Sequence, residues 1–462
     1  MSGGGSTGTP EPGGLRGAFR GLTTRGRSFL AAGVAAAACA YLLGQADLLR
    51  VGLLLAALPL VCVLVLHRTR YRVAGSRTLT PARVAAAAEA RVRLRVENVA
   101  RLSTGVLMLQ DRVPYVLGPR PRFVLDRVEP GGHREVSYRV RSDLRGRYSL
   151  GPLQLRLTDP FGMCELTRSF SSFDTLTVVP RVEPLPPVRL AGETAGYGDG
   201  RHRSLALAGE DDIIPRGYRH GDDLRRVHWR STARHGELMV RREEQPQKAR
   251  CTVLLDTRTV AHEGSGPDSA FEWAVAGAAS VALHLLARGF SVRLLTDTGH
   301  TVPGPEGGGF AGGESADAAG LLLDTLAVVE HSAEEGLSAA YDALRGGAEG
   351  LLIAFFGELD EEQAALAGRI RRRSATAVAF VLDGDAWSRG PGGIRPSHGT
   401  PVAERVRLLR EAGWTALPVA PGDALAELWR AADRAGAEPA PPAGAAPGRG
   451  GTGAPGRSEA GA

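Results

Sequence analysis

The residues best suited to chemistry lie in one stretch. Glu210, Asp211 and Asp212 lead into Arg216-Gly217-Tyr218-Arg219-His220-Gly221-Asp222-Asp223-Leu224-Arg225-Arg226-Val227-His228-Trp229-Arg230-Ser231-Thr232-Ala233-Arg234, and Gly236–Glu244 closes it. His228, Asp222 and Ser231 supply the residue types of a hydrolytic triad. Asp222 beside Asp223 could hold a cation, and either could equally pair with Arg219, Arg225 or Arg226. Ser231 does not sit in G-x-S-x-G, the turn that presents a nucleophilic serine. A hydrolase using Asp222, Asp223 and His228 stays open as an alternative. Both charge signs interleaved with Tyr218 and Trp229 fit a protein interface better, because arginine and aromatic side chains anchor such surfaces. The candidate partner-binding set is therefore Tyr218, Asp222, Asp223, Arg225, Arg226, His228, Trp229 and Arg234. An ion-paired connector between domains is compatible with that role.

Other chemistries are excluded by composition. Lys248 is the single lysine among 56 basic residues, and Ala249 follows it, so no phosphate-binding G-x-x-x-x-G-K-[ST] loop exists. Cys39, Cys62, Cys164 and Cys251 form no C-x-x-C pair, which removes zinc knuckles and redox motifs. They read as reduced, mostly buried thiols. The net charge of +6 is spread along a chain with 50 acidic residues, which is a poor footprint for nucleic acid. The expectation is no cofactor and no enzyme.

The elements that position this stretch are legible on both sides. Residues 1–27 and 436–462 are rich in Gly, Ala and Pro and read as disordered. Ser28–Leu43 carries no charge, and Leu48–Leu66 carries only Arg50. The second run reaches about 28 Å as a helix, enough for a bilayer core. A tight turn, Gly44-Gln45-Ala46-Asp47, separates the runs. Arg16, Arg20, Arg25 and Arg27 precede them and Arg68, Arg70, Arg72 and Arg77 follow, so a transmembrane hairpin over 28–66 would leave both termini in the cytoplasm.

Residues 70–184 switch to period two. In Arg91-Val92-Arg93-Leu94-Arg95-Val96 one face is apolar and the other carries arginines, a solvated sheet face. Similar runs at 105–110, 135–141, 153–157 and 175–179, separated by Gly/Pro turns, suggest about seven strands in an all-β, immunoglobulin-like sandwich. A linker over 185–204 leads into the charged segment, 205–248. Residues 249–435 then alternate strand and helix, implying a Rossmann-like parallel sheet covered on both faces. Its first strand, Cys251–Leu255, ends at Asp256. Ligands of such sheets sit at carboxyl ends of strands, so Asp256 is the natural position to inspect. No G-x-G-x-x-G follows that strand, which argues against a dinucleotide.

The run G-Y-R-H-G-D-D-L-R-R-V-H-W-R-S-T-A-R-H-G-E-L-M-V-R resembles the signature of a bacterial membrane-protein family, domain of unknown function 58. R-G-R-Y-S-L-G-P-L (145–153) and D-P-F-G-M (159–163) also match, over an overall layout spanning about residues 28–435. His220 stands where the family usually has Pro. The resemblance implies that the α/β unit is von Willebrand factor A-like. Such domains begin a metal site with D-x-S-x-S at the first strand end, where oxygen ligands hold Mg²⁺. Here the run is Asp256-Thr257-Arg258-Thr259-Val260, with both serines replaced. The later strand end reads Phe356-Gly357-Glu358, and Thr296-Asp297 ends an earlier strand and is set aside. The expectation is a degenerate site at Asp256, Thr257, Arg258 and Thr259 with no metal, the Arg258 guanidinium replacing the cation. A divalent-cation-dependent receptor is the remaining alternative. The resemblance also implies the partner class, a MoxR-type AAA+ ATPase, and a role in protein assembly or maturation. The expected function is thus a membrane-anchored, non-enzymatic adaptor.

Overall fold

The computed structural model describes residues 21–70, 73–101, 103–159, 161–188, 215–217, 227, 229–241, 249–262, 264–302, 315–345, 349–388 and 399–437. The chain divides into two compact units, Met1–Leu185 with Glu244–Leu425, and Pro186–Glu243 with Ala426–Ala462.

The first unit opens with two apolar helices in a hairpin, α1 (Thr24–Leu43) and α2 (Ala46–Arg70). The Thr23 hydroxyl caps α1 by accepting from Gly26 N–H at 3.3 Å. Gly44, at φ 66°, ends it in the left-handed conformation that glycine adopts without strain. The turn is therefore two residues long, because Ala46 and Asp47 already belong to α2. The helices meet backbone to backbone. A Cβ on Gly33 would lie 2.5 Å from the Ala56 nitrogen, and one on Gly52 would lie 2.7 Å from the Ala37 nitrogen. Small residues four apart on each helix permit that approach, the usual route to tight packing in lipid. Gly33→Leu should therefore separate the helices. Pairs of cysteines placed across the contact in a background without Cys39 should crosslink readily in the parent and poorly in the variant. Equal crosslinking would show that the contact does not depend on this glycine.

A β-sheet domain follows, with ten strands among the described residues: β1 (Val73–Thr80), β2 (Arg83–Ala85), β3 (Glu89–Asn98), β4 (Leu107–Asp111), β5 (Arg122–Leu125), β6 (His133–Arg141), β7 (Gly146–Leu150), β8 (Leu153–Thr158), β9 (Glu165–Ser169) and β10 (Asp174–Val179). They form sheets of order β1-β3-β6, β2-β10-β7 and β5-β4-β8-β9. The alternation in β3 works as read: Ala90, Val92, Leu94 and Val96 are fully buried while Arg91, Arg93 and Arg95 face out. The core shared by these sheets also takes in Leu22 and, from α2, Cys62, Val63 and Leu66. Helix hairpin and β-domain are thus one packed body at the hairpin's base.

The D-P-F-G-M turn makes that joint. Asp159 accepts backbone N–H bonds from Phe161 (3.1 Å) and Cys164 (2.6 Å), which fixes the turn. Met163 O then accepts from Thr23 N–H at 2.9 Å, and Glu165 N–H donates to Gly21 O at 2.7 Å. A Cβ on Gly26 would lie 2.2 Å from Met163 O, so only glycine fits there. Burial, with Asp159 beside it, pushes the Cys164 thiol up to about 11, leaving it protonated and inert. Of the four free thiols Cys62, Cys164 and Cys251 are buried, and Cys39 is exposed on α1.

The second unit contributes β11 (Pro215–Gly217), α3 (Trp229–His235) and β12 (Met239–Arg241), with β11 and β12 paired antiparallel. The α/β part of the first unit begins with β13 (Arg250–Leu255), α4 (Ala270–Ala287), β14 (Ser291–Thr296), β15 (Thr301–Val302), α5 (Ser315–Val328) and α6 (Ser338–Ala343). It continues with β16 (Glu349–Phe356), α7 (Glu361–Arg371), β17 (Ser374–Leu382), α8 (Gly384–Ser388), α9 (Val402–Glu411) and β18 (Thr415–Val419), and α10 (Leu425–Ala437) follows. The sheet order is β15-β14-β13-β16-β17-β18, parallel throughout except for β15. Helix α4 is long and apolar enough to span a membrane, but 67% of it is buried within the protein, so its apolarity belongs to the core. Helix α6 begins at Ser338, and the Leu337 N–H before it is taken by the Gln363 side chain at 2.9 Å.

Candidate functional site

In a sheet of this order the direction of winding reverses between β13 and β16, and ligands of such sheets bind in the crevice outside that point. Asp256 lies there. Its N–H donates to Phe355 O at 3.0 Å, continuing the β13–β16 ladder, and its side chain is fully buried. Arg258 turns back onto it. Nε reaches Oδ1 at 2.9 Å and Nη2 reaches Oδ2 at 2.8 Å, a two-pronged ion pair. The guanidinium, 2% exposed, also donates to Glu335 O (3.2 Å) and Glu358 O (2.8 Å). Burial works against its charge, and the bonds to Asp256 outweigh it, holding Arg258 above its ordinary value. Gly357 N–H completes the Asp256 shell at 3.3 Å. A Cβ on Gly357 would lie 2.0 Å from Ala261 O, so this close approach needs glycine.

A second buried carboxylate stands beside the first. Asp297, at the end of β14, accepts from Thr257 N–H (2.7 Å) and hydroxyl (2.5 Å), and from the Ser332 hydroxyl (2.5 Å). The sequence reading set Asp297 aside, yet it is the residue that fixes Thr257. Thr259 donates to Ser332 O through its hydroxyl at 2.7 Å. A second arginine closes the crevice from α9. Arg405, 1% exposed, donates to Gly357 O (2.7 Å), Leu382 O (3.0 Å) and Thr400 O (2.9 Å), and pairs with Glu358 at 2.9 Å. Burial lowers its pKa, with Glu358 acting in the other direction. Protein donors thus engage both oxygens of Asp256 and of Asp297. Among the described residues no group of three or more His, Cys, Asp or Glu side chains is placed to hold a metal ion.

His262 donates Nε2–H to Asp256 O at 2.7 Å, and its ring lies 5.9 Å from His331, which stacks on Phe271 at 4.0 Å. Arg145 of the β-domain lies over the same Phe271 at 5.0 Å and pairs with Glu272. Burial, then His262 and Arg145, hold His331 below the ordinary 6.5, with Glu272 pulling the other way. The folded form therefore takes up a proton less readily than the unfolded chain, and stability should fall as pH drops below about 6.5. The depressed His284, half-buried beside Arg288, adds an effect of the same sign. His331→Phe keeps the stacking and should flatten this dependence in melting curves between about pH 7.5 and 5.5. An unchanged slope would assign the effect elsewhere.

The charged segment is seen in part. Tyr218, Asp222, Asp223, Arg225, Arg226 and His228 lie outside the described residues. Trp229 opens α3 with 70% of its surface exposed, and Arg234 is exposed in its last turn. Gly236 leaves the helix at φ 74°, and Met239 N–H returns to the Thr232 hydroxyl at 3.1 Å, so β12 begins at once and pairs with β11.

Residues 215–348 match the family model described as "Protein of unknown function DUF58". This chain carries a DUF58 domain. The matched region runs from β11 through α6 and contains Trp229, Asp256, Arg258, Asp297 and Ser332. It is narrower than the layout resemblance, which begins at the hairpin. No curated protein matches the chain. Among solved structures, a CARDB domain from Pyrococcus furiosus in complex with di-metal ions is 12% identical, with 23% of this chain and 89% of that one covered and a TM-score of 0.18. The sporulation control protein Spo0M from Bacillus subtilis is also 12% identical, over 23% and 49%, with a TM-score of 0.15. An alkylpurine DNA glycosylase from Pseudomonas fluorescens bound to DNA is 14% identical, over 27% and 39%, with a TM-score of 0.15. At this level of similarity none of their ligands or substrates transfers to this chain.

Proposed function

We propose that this protein is a membrane-anchored, non-enzymatic adaptor whose von Willebrand factor A-like domain and charged segment bind protein partners. The hairpin spans the membrane with both termini in the cytoplasm, and the β-domain is an immunoglobulin-like spacer. The observation that carries the reading is the filled crevice. Where a sheet of this order would bind a ligand, Arg258 and Arg405 occupy the space and their donors engage Asp256 and Glu358. Chemistry at this point would need a free carboxylate or an open coordination position. What the same face offers is surface: Val260, next to the ion pair, is 61% exposed. Exposed Trp229 and Arg234 are the residue types that anchor interfaces.

The family resemblance supplies the partner class, a MoxR-type AAA+ ATPase acting in protein assembly or maturation. A pull-down of the tagged full chain from its own membranes tests this, run beside an Asp222→Ala/Asp223→Ala variant shown to be folded and inserted. An AAA+ ATPase retained by the parent and lost in the variant is the expected result. Retention of no specific protein by either sample would sink the adaptor reading and send the charged segment to enzymatic assay.

A further inference from the structure

The hairpin's packing places a loop of the β-domain level with the end of the uncharged run of α1. Antiparallel contact sets Gly33 against Ala56 and Ala37 against Gly52, which brings Cys62 and Val63 to the level of Gly26. Gly26 touches Met163, and Cys62 and Val63 lie in one core with Met163 and Cys164. The turn 159–164 is therefore held at the level of Gly26, two residues before the uncharged run of α1 begins at Ser28. On α2 the exposed apolar surface does not stop at that level. Leu60 and Val61 are exposed on the span side of that level and Leu64 and Val65 just beyond it, so exposed apolar side chains run from the span up to the turn. Water against that band is costly, and lipid must reach it if the hairpin is inserted. The tip of the turn, Phe161, is itself 58% exposed, and Gly162 faces the Arg25 guanidinium.

We infer that the Asp159–Cys164 turn is a membrane-surface element: Phe161 inserts at the boundary between headgroups and acyl chains, with Arg25 among the lipid phosphates. The occupant is the bilayer that holds the hairpin, because the apolar band of α2 runs continuously from the span to the turn. An aromatic ring at this depth, flanked by an arginine, suits the interface chemically. Anchored at the hairpin and at Phe161, the β-domain is held at a fixed tilt to the membrane rather than swinging on its tether.

The inference rests on the hairpin being inserted, and one experiment separates the two. The full chain is labelled with an environment-sensitive fluorophore in detergent and reconstituted into phosphatidylcholine–phosphatidylglycerol vesicles carrying nitroxide lipids. A label on native Cys39 reports insertion. In a Cys39→Ala background, labels at Phe161→Cys and Tyr115→Cys report the turn and a control. Tyr115 is 96% exposed, beyond the end of β4 that pairs away from Thr158. The expected result is loss of most emission from positions 39 and 161 and little from 115. Quenching at 39 with position 161 behaving like 115 overturns the inference and leaves insertion standing. No quenching at 39 overturns both.

Discussion

Arg258→Ala is expected to cost the α/β sheet about 3–5 kcal/mol, the range for removing one partner of a buried ion pair. The reason is what remains. Asp256 is fully buried and would keep only backbone donors, Arg258 N–H at 3.2 Å and Gly357 N–H at 3.3 Å. Glu335 O and Glu358 O would lose their donor as well. Asp256→Ala should be comparably severe, because it leaves a buried guanidinium without its counter-charge. The double replacement Asp256→Leu/Arg258→Leu should be milder than either single change, since no buried charge then remains. All five tryptophans lie at or beyond residue 229, so fluorescence-monitored denaturation of the full chain in detergent reads this part of the protein. A double variant as unstable as the sum of the singles would refute pairwise coupling. The same pair governs metal uptake. Equilibrium dialysis of the full chain against Mg²⁺ should find no stoichiometric binding. Uptake abolished by Asp256→Ala would overturn the guanidinium as the resident cation.

That pair was legible in the sequence for a simple reason. Asp256 and Arg258 are two residues apart at a strand end, so local spacing alone suggests their contact. Arg405 is the opposite case. In Arg405-Val406-Arg407-Leu408-Leu409-Arg410 all three arginines look like the polar side of an amphipathic helix. Arg407 does lie exposed between Glu404 and Glu411, while Arg405 is buried under the sheet end. Only its tertiary partners, Gly357, Leu382 and Glu358, distinguish it. Strand β1 was missed for a related reason. Gly75 and Arg77 interrupt its alternation, and Arg77 points inward to Asp111, Asp174 and Leu150 O instead of out to water. Although burial opposes it, bonding to those carboxylates holds Arg77 above its usual value. Burial and Asp111 push the Tyr138 hydroxyl, 2.6 Å from Asp111, well above its own. Five strand runs were visible because they alternate cleanly. β1 hides because its one central charge, Arg77, folds inward onto partners far along the chain.

Arg145 shows how such a residue can matter more than its surroundings suggest. It stands in the R-G-R-Y-S-L-G-P-L run, where nothing in the local pattern sets it apart from Arg147. Its guanidinium leaves the β-domain and enters the α/β domain, bonding Leu326 O through Nε at 2.8 Å, and also Val329 O and Glu272, over the Phe271 ring. Its side chain is almost fully buried, whereas the neighbouring link, Arg83 with Asp324, is largely exposed and contributes little. Arg145→Ala should therefore release the α/β domain from the β-domain at a cost of about 2–3 kcal/mol for the charged hydrogen bonds lost. Amide exchange should then speed up at the start of α4 and across residues 326–331, while the interior of β13 and β16 stays protected. Arg145→Lys should not restore protection, because an ammonium cannot span three acceptors in a planar fork. Loss of protection throughout β13 and β16 would instead mean that Arg145 supports the sheet itself. Unchanged exchange at α4 would mean that the two domains hold together without it.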